Sequence, residues 1–291
     1  MSKTSQRCVL VLGCGALGGA LIERLGRCAD VNVVDPSPRV RVPEHIFHSV
    51  QALQERSFDG LIVATKCYDL NRALMPLKNR AFVGRILFLQ NGILDLRDIL
   101  RAFPQAAIVR GVTTSAVGIS SRRAVFHYQG EFFLAPEGSK KNEAVGWFGR
   151  LLADAGLKTS LVSKSSRIVW AKLIFSAVMN PLPVMTGQGY DILRKDKEIW
   201  KLVQQATQEG RMVARRLRVR LAFDPLRLIH RVRDGDLKGI SHWGSMFQDI
   251  SAGRPTELDF ITGALIRQAR QAGVKTPALD MILQRAKLAG A

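Results

Sequence analysis

The stretch Gly13-Cys14-Gly15-Ala16-Leu17-Gly18 constrains this chain more than any other feature. It follows a continuous apolar run over residues 8–12 and opens a helical pattern over about 17–25. A second apolar run, 31–34, then ends at Asp35-Pro36. Glycines also make ordinary turns, but strand, glycine turn, helix and second strand in that order are what a dinucleotide-binding G-x-G-x-x-G requires. Gly13 permits the tight turn, Gly15 lets the backbone approach a pyrophosphate, and Gly18 lets helix pack on strand. The pyrophosphate then rests on the helix N-terminus, where free N–H groups and the dipole favour negative charge. Cys14, Ala16 and Leu17 complete the cofactor-binding turn; Cys14 reads as a small packing residue rather than a nucleophile.

Further apolar runs at 60–64, 86–89 and 107–110, with a short helical stretch at 50–55, extend the alternation. Continuous rather than alternating runs separated by helices indicate a parallel sheet covered on both faces. Residues 125–128 and 131–134 around Gly130 read as a hairpin. Residues 142–155 read as an amphipathic helix stopped by Gly156, with Trp147 and Phe148 in the core. From about Ser165 strand signals vanish. Helices are expected at 166–179, 196–217, 224–233, 241–250, 256–272 and 276–289, with Asp224-Pro225 and Thr276-Pro277 as capped starts. The fold class is α/β: a Rossmann-type parallel sheet domain, 1–164, followed by an all-helical C-terminal domain, 165–291.

Composition bounds the function. The chain has 291 residues, and 47% hydrophobic content excludes disorder. Cys8, Cys14, Cys28 and Cys67 form no Cys-x-x-Cys pair, so neither a disulfide framework nor a zinc site is indicated, and free thiols suit a reducing cytosol. The histidines His45, His48, His127, His230 and His242 share no metal-ligand spacing, and His45 and His48 fall on a surface loop. Glycines interrupt the apolar N-terminal run that resembles a secretory signal, and no stretch elsewhere is long enough to span a membrane. A cytoplasmic, soluble protein is expected. Net charge is +19, a field that attracts anions. The basic residues are spread along the chain, and the densest stretch, 211–220, has helical spacing. A solvated helix face is favoured over a nucleic-acid footprint.

Asp35 bears on the cofactor. A carboxylate ending the second strand accepts from ribose hydroxyls and repels a 2′-phosphate, favouring NAD(H). Ser37, Arg39 and Arg41 follow and offer a phosphate site instead. Lys66 and Asn91 stand at the carboxyl ends of two further strands, where ligands bind in open sheets. A plain strand-end lysine and an Asn-Gly turn would look the same. In the helical half, Lys172, Ser176 and Asn180 recur at four-residue steps along a helix that is apolar nearly all round. A lysine there must snorkel, pair or face a ligand. Ser245 and Asp249 share a helix face, and Glu257 falls in a first helical turn, where the dipole alone would favour it.

Together GCGALGG, VATKCYD, LQNG, WAKLIFSAVMNPL and SMFQDISAGRPTELD, in order along the chain, resemble the ketopantoate reductase (2-dehydropantoate 2-reductase) family. The resemblance implies reduction of 2-dehydropantoate to pantoate by NADP(H), towards pantothenate and coenzyme A. It implies Lys172 as general acid and Glu257 as its partner at the substrate hydroxyl. Asn180 and Ser245, with Ser176 beside them, would bind substrate, and Lys66 and Asn91 would contact cofactor and substrate. The chain departs from the family at Asp35, where an arginine is common, with Arg39 coming later. It departs again at Ser176, where an asparagine is common. The chemistry agrees: hydride delivered to a 2-oxo acid builds charge on oxygen, which an ammonium stabilises and protonates, with Glu257 holding it in place. The expected partner is a small anionic 2-oxo acid, with no nucleic acid, metal or membrane. A homodimer is open, since helical second domains of this kind often pair. The rivals are a same-fold reductase of another 2-oxo acid and a dinucleotide sensor that binds nucleic acid.

Overall fold

The apolar runs of the first half pair into one eight-stranded sheet, seen in a computed structural model that describes residues 7–53, 57–78, 84–138, 142–235 and 243–291. The chain divides into two compact units, Met1–Gln90 with Leu94–Ser165, and Asn91–Ile93 with Ser166–Ala291.

The first unit runs β1 (Cys8–Leu12), α1 (Ala16–Leu25), β2 (Asp30–Val34), β3 (Ile46–Phe47), β4 (Gly60–Val63), α2 (Leu70–Leu74) and β5 (Arg85–Phe88). It continues α3 (Arg97–Ala102), β6 (Ala107–Thr113), β7 (Ala116–Ser120), β8 (Arg123–Tyr128), β9 (Phe132–Pro136), α4 (Asn142–Asp154) and β10 (Thr159–Leu161). Strand order is β10-β9-β6-β5-β4-β1-β2-β3. Every pair is parallel except β6–β9, so the sheet is mixed at one side rather than wholly parallel as expected. The order reverses between β1 and β4, which makes the mouth above those two strands the topological switch point where ligands bind. Two apolar layers cover the sheet: one packs Leu21, Ile22 and Phe148 on Val9, Val11 and Val109, the other Leu70, Leu74 and Ile99 on Leu10, Leu61 and Ile86. Phe148 is fully buried, and Trp147 packs against the first layer. The helical stretch expected at 50–55 is a single turn, Val50–Ala52; Glu55 lies outside the described residues.

The hairpin expected around Gly130 does not form. β8 pairs instead with β7 through a two-residue turn, Ser121 and Arg122, both at positive φ (48° and 60°). That turn type normally advertises itself by Asn or Gly, which is why the sequence hid it. After Gly130 the chain returns to the end of β6: Thr114 N–H donates to the Glu131 carbonyl at 3.0 Å. A Cβ on Gly130 would lie 2.5 Å from Thr114 Oγ1 and 2.8 Å from Ser115 N, so the crossing needs glycine.

The second unit is helical: α5 (Ser165–Met179), α6 (Leu182–Thr186), α7 (Ile192–Lys195), α8 (Lys197–Arg216), α9 (Pro225–Asp234), α10 (Ser245–Ser251), α11 (Leu258–Gln271) and α12 (Pro277–Leu288). α5 is wrapped by α8 and α11 through Leu173, Ile174, Ala177, Val203, Ala206 and Leu265. The stretch Ser165–Thr186 has the length and apolarity of a membrane span, contrary to expectation, but its most apolar window is 72% buried. α5 ends at Met179, before Asn180 and Pro181, and a separate short helix, α6, follows with Pro183 in its first turn and closes at Gly187 (φ 63°). Asp196 and Asp224 cap α8 and α9. Thr276 does not cap α12; its hydroxyl donates to Asp280. The open N–H groups of Ala278 and Leu279 go to buried Glu209 on α8, at 2.8 and 2.9 Å. Residues 241 and 242 of the helix expected at 241–250, His242 among them, lie outside the described residues.

Candidate functional site

In the first unit the glycine turn separates structural from ligand-facing glycines. Gly13, at φ +100°, donates to the Val34 carbonyl at 2.9 Å, and a Cβ there would lie 2.9 Å from Thr65 N. At Gly18 a Cβ would lie 2.0 Å from the Gly13 carbonyl oxygen. The protein itself demands both. Gly15 is different: a Cβ would meet only the tip of the Arg39 side chain, Nη2 at 2.8 Å. No capping side chain and no first-turn acid stands at the start of α1, so Ala16 and Leu17 begin the helix beside an open cradle. This open face, donor-rich and beside a guanidinium, fits the pyrophosphate of a dinucleotide.

Asp35 is held firmly at the end of β2. Its Oδ2 accepts the Cys14 N–H at 2.5 Å and its Oδ1 the Ser37 N–H at 2.7 Å. The carboxylate thereby locks the glycine turn to the strand it follows. Burial, with the Asp35 charge beside it, pushes the Cys14 thiol up to about 11, so this cysteine stays protonated and is not a nucleophile. Lys66, half-buried, follows β4 and opens the turn Cys67–Asp69.

Two polar side chains beneath the strand ends escaped the sequence reading. Arg110 on β6 is 2% exposed and donates from Nη2 to the Gln90 carbonyl at 3.3 Å; desolvation lowers it to about 10. Gln90 donates to the Val63 carbonyl at 3.2 Å and to Thr65 Oγ1 at 3.5 Å, next to the Gly13 turn. Among the described residues, Gln90 Oε1 is buried without a hydrogen-bond partner. A lone arginine inside the apolar run of β6 was the available signal.

In the second unit Lys172, Ser176 and Asn180 lie on α5 and just past its end, the Asn180 N–H donating to the Ser176 carbonyl at 3.0 Å. Lys172 is half-buried, and desolvation alone lowers its ammonium from 10.5 to about 8. Its Nζ lies 5.1 Å from the Phe175 ring centroid. Among the described residues no carboxylate pairs with it, so the structure shows no ion pair between Lys172 and Glu257. Ser176 is 1% exposed, and among the described residues its hydroxyl has no hydrogen-bond partner.

Glu257 is buried at the start of α11, but its carboxylate makes no capping bond to that helix. Asn91 belongs with this turn: a Cβ on the next residue, Gly92 (φ +84°), would lie 2.4 Å from the Phe260 carbonyl oxygen. Thr262 of α11 donates to the Ala177 carbonyl of α5 at 2.9 Å, tying the helix that Glu257 starts to the helix of Lys172. Ser245 is exposed at the start of α10, while Asp249, buried on the same helix, pairs with Arg254 at 3.0 Å. Asp249 thus holds the loop before Glu257. Among the described residues no group of three or more His, Cys, Asp or Glu is set to hold a metal, and His45 and His48 are exposed.

Comparison with known proteins matches both halves of the chain. A family described as Ketopantoate reductase PanE/ApbA matches residues 9–137, and Ketopantoate reductase PanE/ApbA C terminal matches residues 165–289. A 2-dehydropantoate 2-reductase of Pyrobaculum aerophilum is 28% identical over 276 residues, covering 92% of each chain. Among solved structures, D-mandelate dehydrogenase with NADH and anilino(oxo)acetate superposes with TM-score 0.82 at 22% identity, over 97% of both chains. A PanE/ApbA family ketopantoate reductase from Ralstonia eutropha JMP134 superposes with TM-score 0.78, also at 22% identity over 97% of both.

Proposed function

Because the chain belongs to the ketopantoate reductase family and is a nicotinamide-dependent oxidoreductase, we propose that it reduces 2-dehydropantoate to pantoate, a step towards pantothenate and coenzyme A. The observation that carries this reading is Lys172, an ammonium on an apolar helix whose acidity burial has brought close to neutrality. A proton donor works best with a pKa near the working pH. When bound, the nicotinamide dinucleotide supplies a hydride. The chain's residues do the rest. Lys172 stabilises the charge growing on the former carbonyl oxygen and gives it a proton. Asn180, Ser245 and Asn91 hold the substrate, and Glu257 accepts from its hydroxyl. The glycine turn and α1 bind the pyrophosphate, with Lys66 at the neighbouring strand end.

For the cofactor, two observations favour NAD(H). Asp35 keeps its charge fixed at the end of β2, where a ribose hydroxyl would donate and a 2′-phosphate would be repelled. Arg39 lies against Gly15, at the pyrophosphate, a group that both dinucleotides share. Fluorescence titration gives the affinities; tighter binding of NADPH than NADH would overturn this assignment.

A second reading, reduction of a different 2-oxo acid, is favoured by Ser176, whose small sealed hydroxyl leaves one amide fewer for substrate. The D-mandelate dehydrogenase that shares the fold was solved with an aryl-substituted oxo acid. Cofactor oxidation followed at 340 nm with 2-dehydropantoate and with benzoylformate decides between them. No turnover with any 2-oxo acid would sink both.

A further inference from the structure

At the carboxyl end of the sheet one row of side chains breaks its own pattern. Leu12, Val63 and Phe88 stand in register on β1, β4 and β5, all buried in the second apolar layer. The next place in that row, on β6, is Arg110. A leucine or valine would fill it as its neighbours do, whereas a buried guanidinium carries a desolvation cost that an apolar side chain avoids. At 2% exposure this arginine must do something that packing does not require.

Its hydrogen bond gives the direction. Nη2 donates at 3.3 Å to the carbonyl of Gln90, two residues past Phe88 towards the mouth of the sheet. That carbonyl belongs to the planar peptide that joins Gln90 to Asn91, so the bond fixes the plane from which Asn91 departs. Gln90 carries the connection sideways: its Nε2 donates to the Val63 carbonyl at 3.2 Å and to Thr65 Oγ1 at 3.5 Å, at the end of β4. Thr65 precedes Lys66 and lies against the glycine turn, its N 2.9 Å from the place of a Cβ on Gly13. One polar line thus runs from β6 across the ends of β5 and β4 to that turn. Stability alone does not explain it, since Gln90 Oε1 is left buried and, among the described residues, without a partner. An amide half satisfied in this way costs free energy and calls for a functional reason.

We propose that Arg110 is a positioning residue for the substrate site, its guanidinium setting the Gln90–Asn91 peptide so that the Asn91 side chain meets the 2-oxo acid. The inference rests on the reductase reading above, and on the part that Asn91 has in it. It adds a residue that acts on the ligand only through another.

The test is Arg110→Met, which keeps a long apolar stem and removes the donor. Misplacing a substrate contact by about an ångström costs on the order of 100-fold in rate, so kcat/KM for the 2-oxo acid should fall by about 10- to 100-fold. The dissociation constant for NADH should hold within about twofold, and the melting temperature within about 5 °C. Made in an Asn91→Ala background, the same substitution should cost less than about twofold, because the group that Arg110 positions is gone. Should the methionine variant fail to fold, Arg110→Lys, whose shorter reach shifts the donor, carries the same cycle, and its loss should likewise vanish without Asn91. An unchanged kcat/KM in the variant that folds overturns the proposal. So does a penalty as large without Asn91 as with it, or one matched by an equal loss of NADH affinity. A wild type that reduces no 2-oxo acid removes the reductase reading instead, so the two failures are separable.

Discussion

Replacing Lys172 by methionine should make the protein more stable and nearly inactive. In the unfolded chain this ammonium has its ordinary pKa, 10.5; folded, desolvation lowers it to about 8. At about 1.4 kcal/mol per tenfold change in acidity, the charged form costs the folded state about 3 kcal/mol at neutral pH. The face of Phe175, with its centroid 5.1 Å from Nζ, offsets a little of this. Between about pH 8 and 10.5 the unfolded chain holds a proton that the folded chain has released, so stability rises with pH across that window. The contribution is fully present above 10.5 and is lost as pH falls through about 8. Methionine matches the length without the charge. The variant should therefore melt roughly 5 °C or more above wild type at pH 7 and lack the wild-type slope above pH 8.

On the proposed mechanism the same group sets the rate. With an acidity near 8, Lys172 is about nine-tenths protonated at pH 7 and one-tenth at pH 9, so reduction by the wild type should slow about tenfold between them. The methionine variant should lose about 10²–10⁴ in kcat at every pH. Arginine keeps the charge but releases no proton near neutrality, and it should rescue substrate binding more than turnover. Calorimetric melting at pH 7 and 10, with initial rates from pH 6 to 10, tests both halves. A methionine variant that is less stable than wild type, or that turns over at a near-normal rate, would refute the reasoning.

Further outcomes follow from the glycine turn and the helix starts. Gly18→Ala, whose Cβ would lie 2.0 Å from a backbone oxygen, should fail to fold or lose several degrees of melting temperature. Gly15→Ala, which meets only the Arg39 tip, should fold normally and bind dinucleotide at least about tenfold more weakly. Arg39→Ala should weaken NADH and NADPH by similar factors in a fluorescence titration; a loss confined to NADPH would put the guanidinium at the 2′-phosphate instead. Glu209→Ala strands the Ala278 and Leu279 N–H groups and should cost about 2 kcal/mol in urea unfolding without altering KM.

Where sequence reading worked and where it did not has a physical pattern. The glycine turn was legible because three separate demands, a positive φ at Gly13, an open cradle at Gly15 and a close approach at Gly18, all fall on a side chain that only glycine lacks. The buried stripe of α5 was legible because a lysine in an apolar helix must be accounted for. Pairing across β6–β9 was not, since it depends on a crossing enforced by Thr114, Ser115 and Gly130 at long range. Glu209 was invisible because its partners lie about seventy residues away on a helix that carries its own plausible cap.

The excess of 43 basic over 24 acidic side chains has a local use that composition does not reveal. Arg167 donates from Nε to the Arg220 carbonyl at 3.1 Å, Arg216 to the Ala272 carbonyl at 3.3 Å, and Arg233 to the Leu193 carbonyl at 3.3 Å. Ala272 closes α11, so its carbonyl is one that the helix leaves open. Arg233 also lies 4.5 Å from the Trp200 ring centroid. A planar guanidinium can serve a carbonyl or a ring face through one edge and keep its remaining donors in water, which a lysine ammonium does less well. On this view part of the positive field is a by-product of joining the helices of the second unit, and anionic ligands benefit from it without having caused it. Arg→Lys at 167, 216 and 233 separates the two explanations, because it keeps the net charge and removes the fork. The triple variant should lose about 2–3 kcal/mol of stability while its salt dependence of KM stays as in wild type. Unchanged stability with altered salt dependence would mean that these arginines are there for the field.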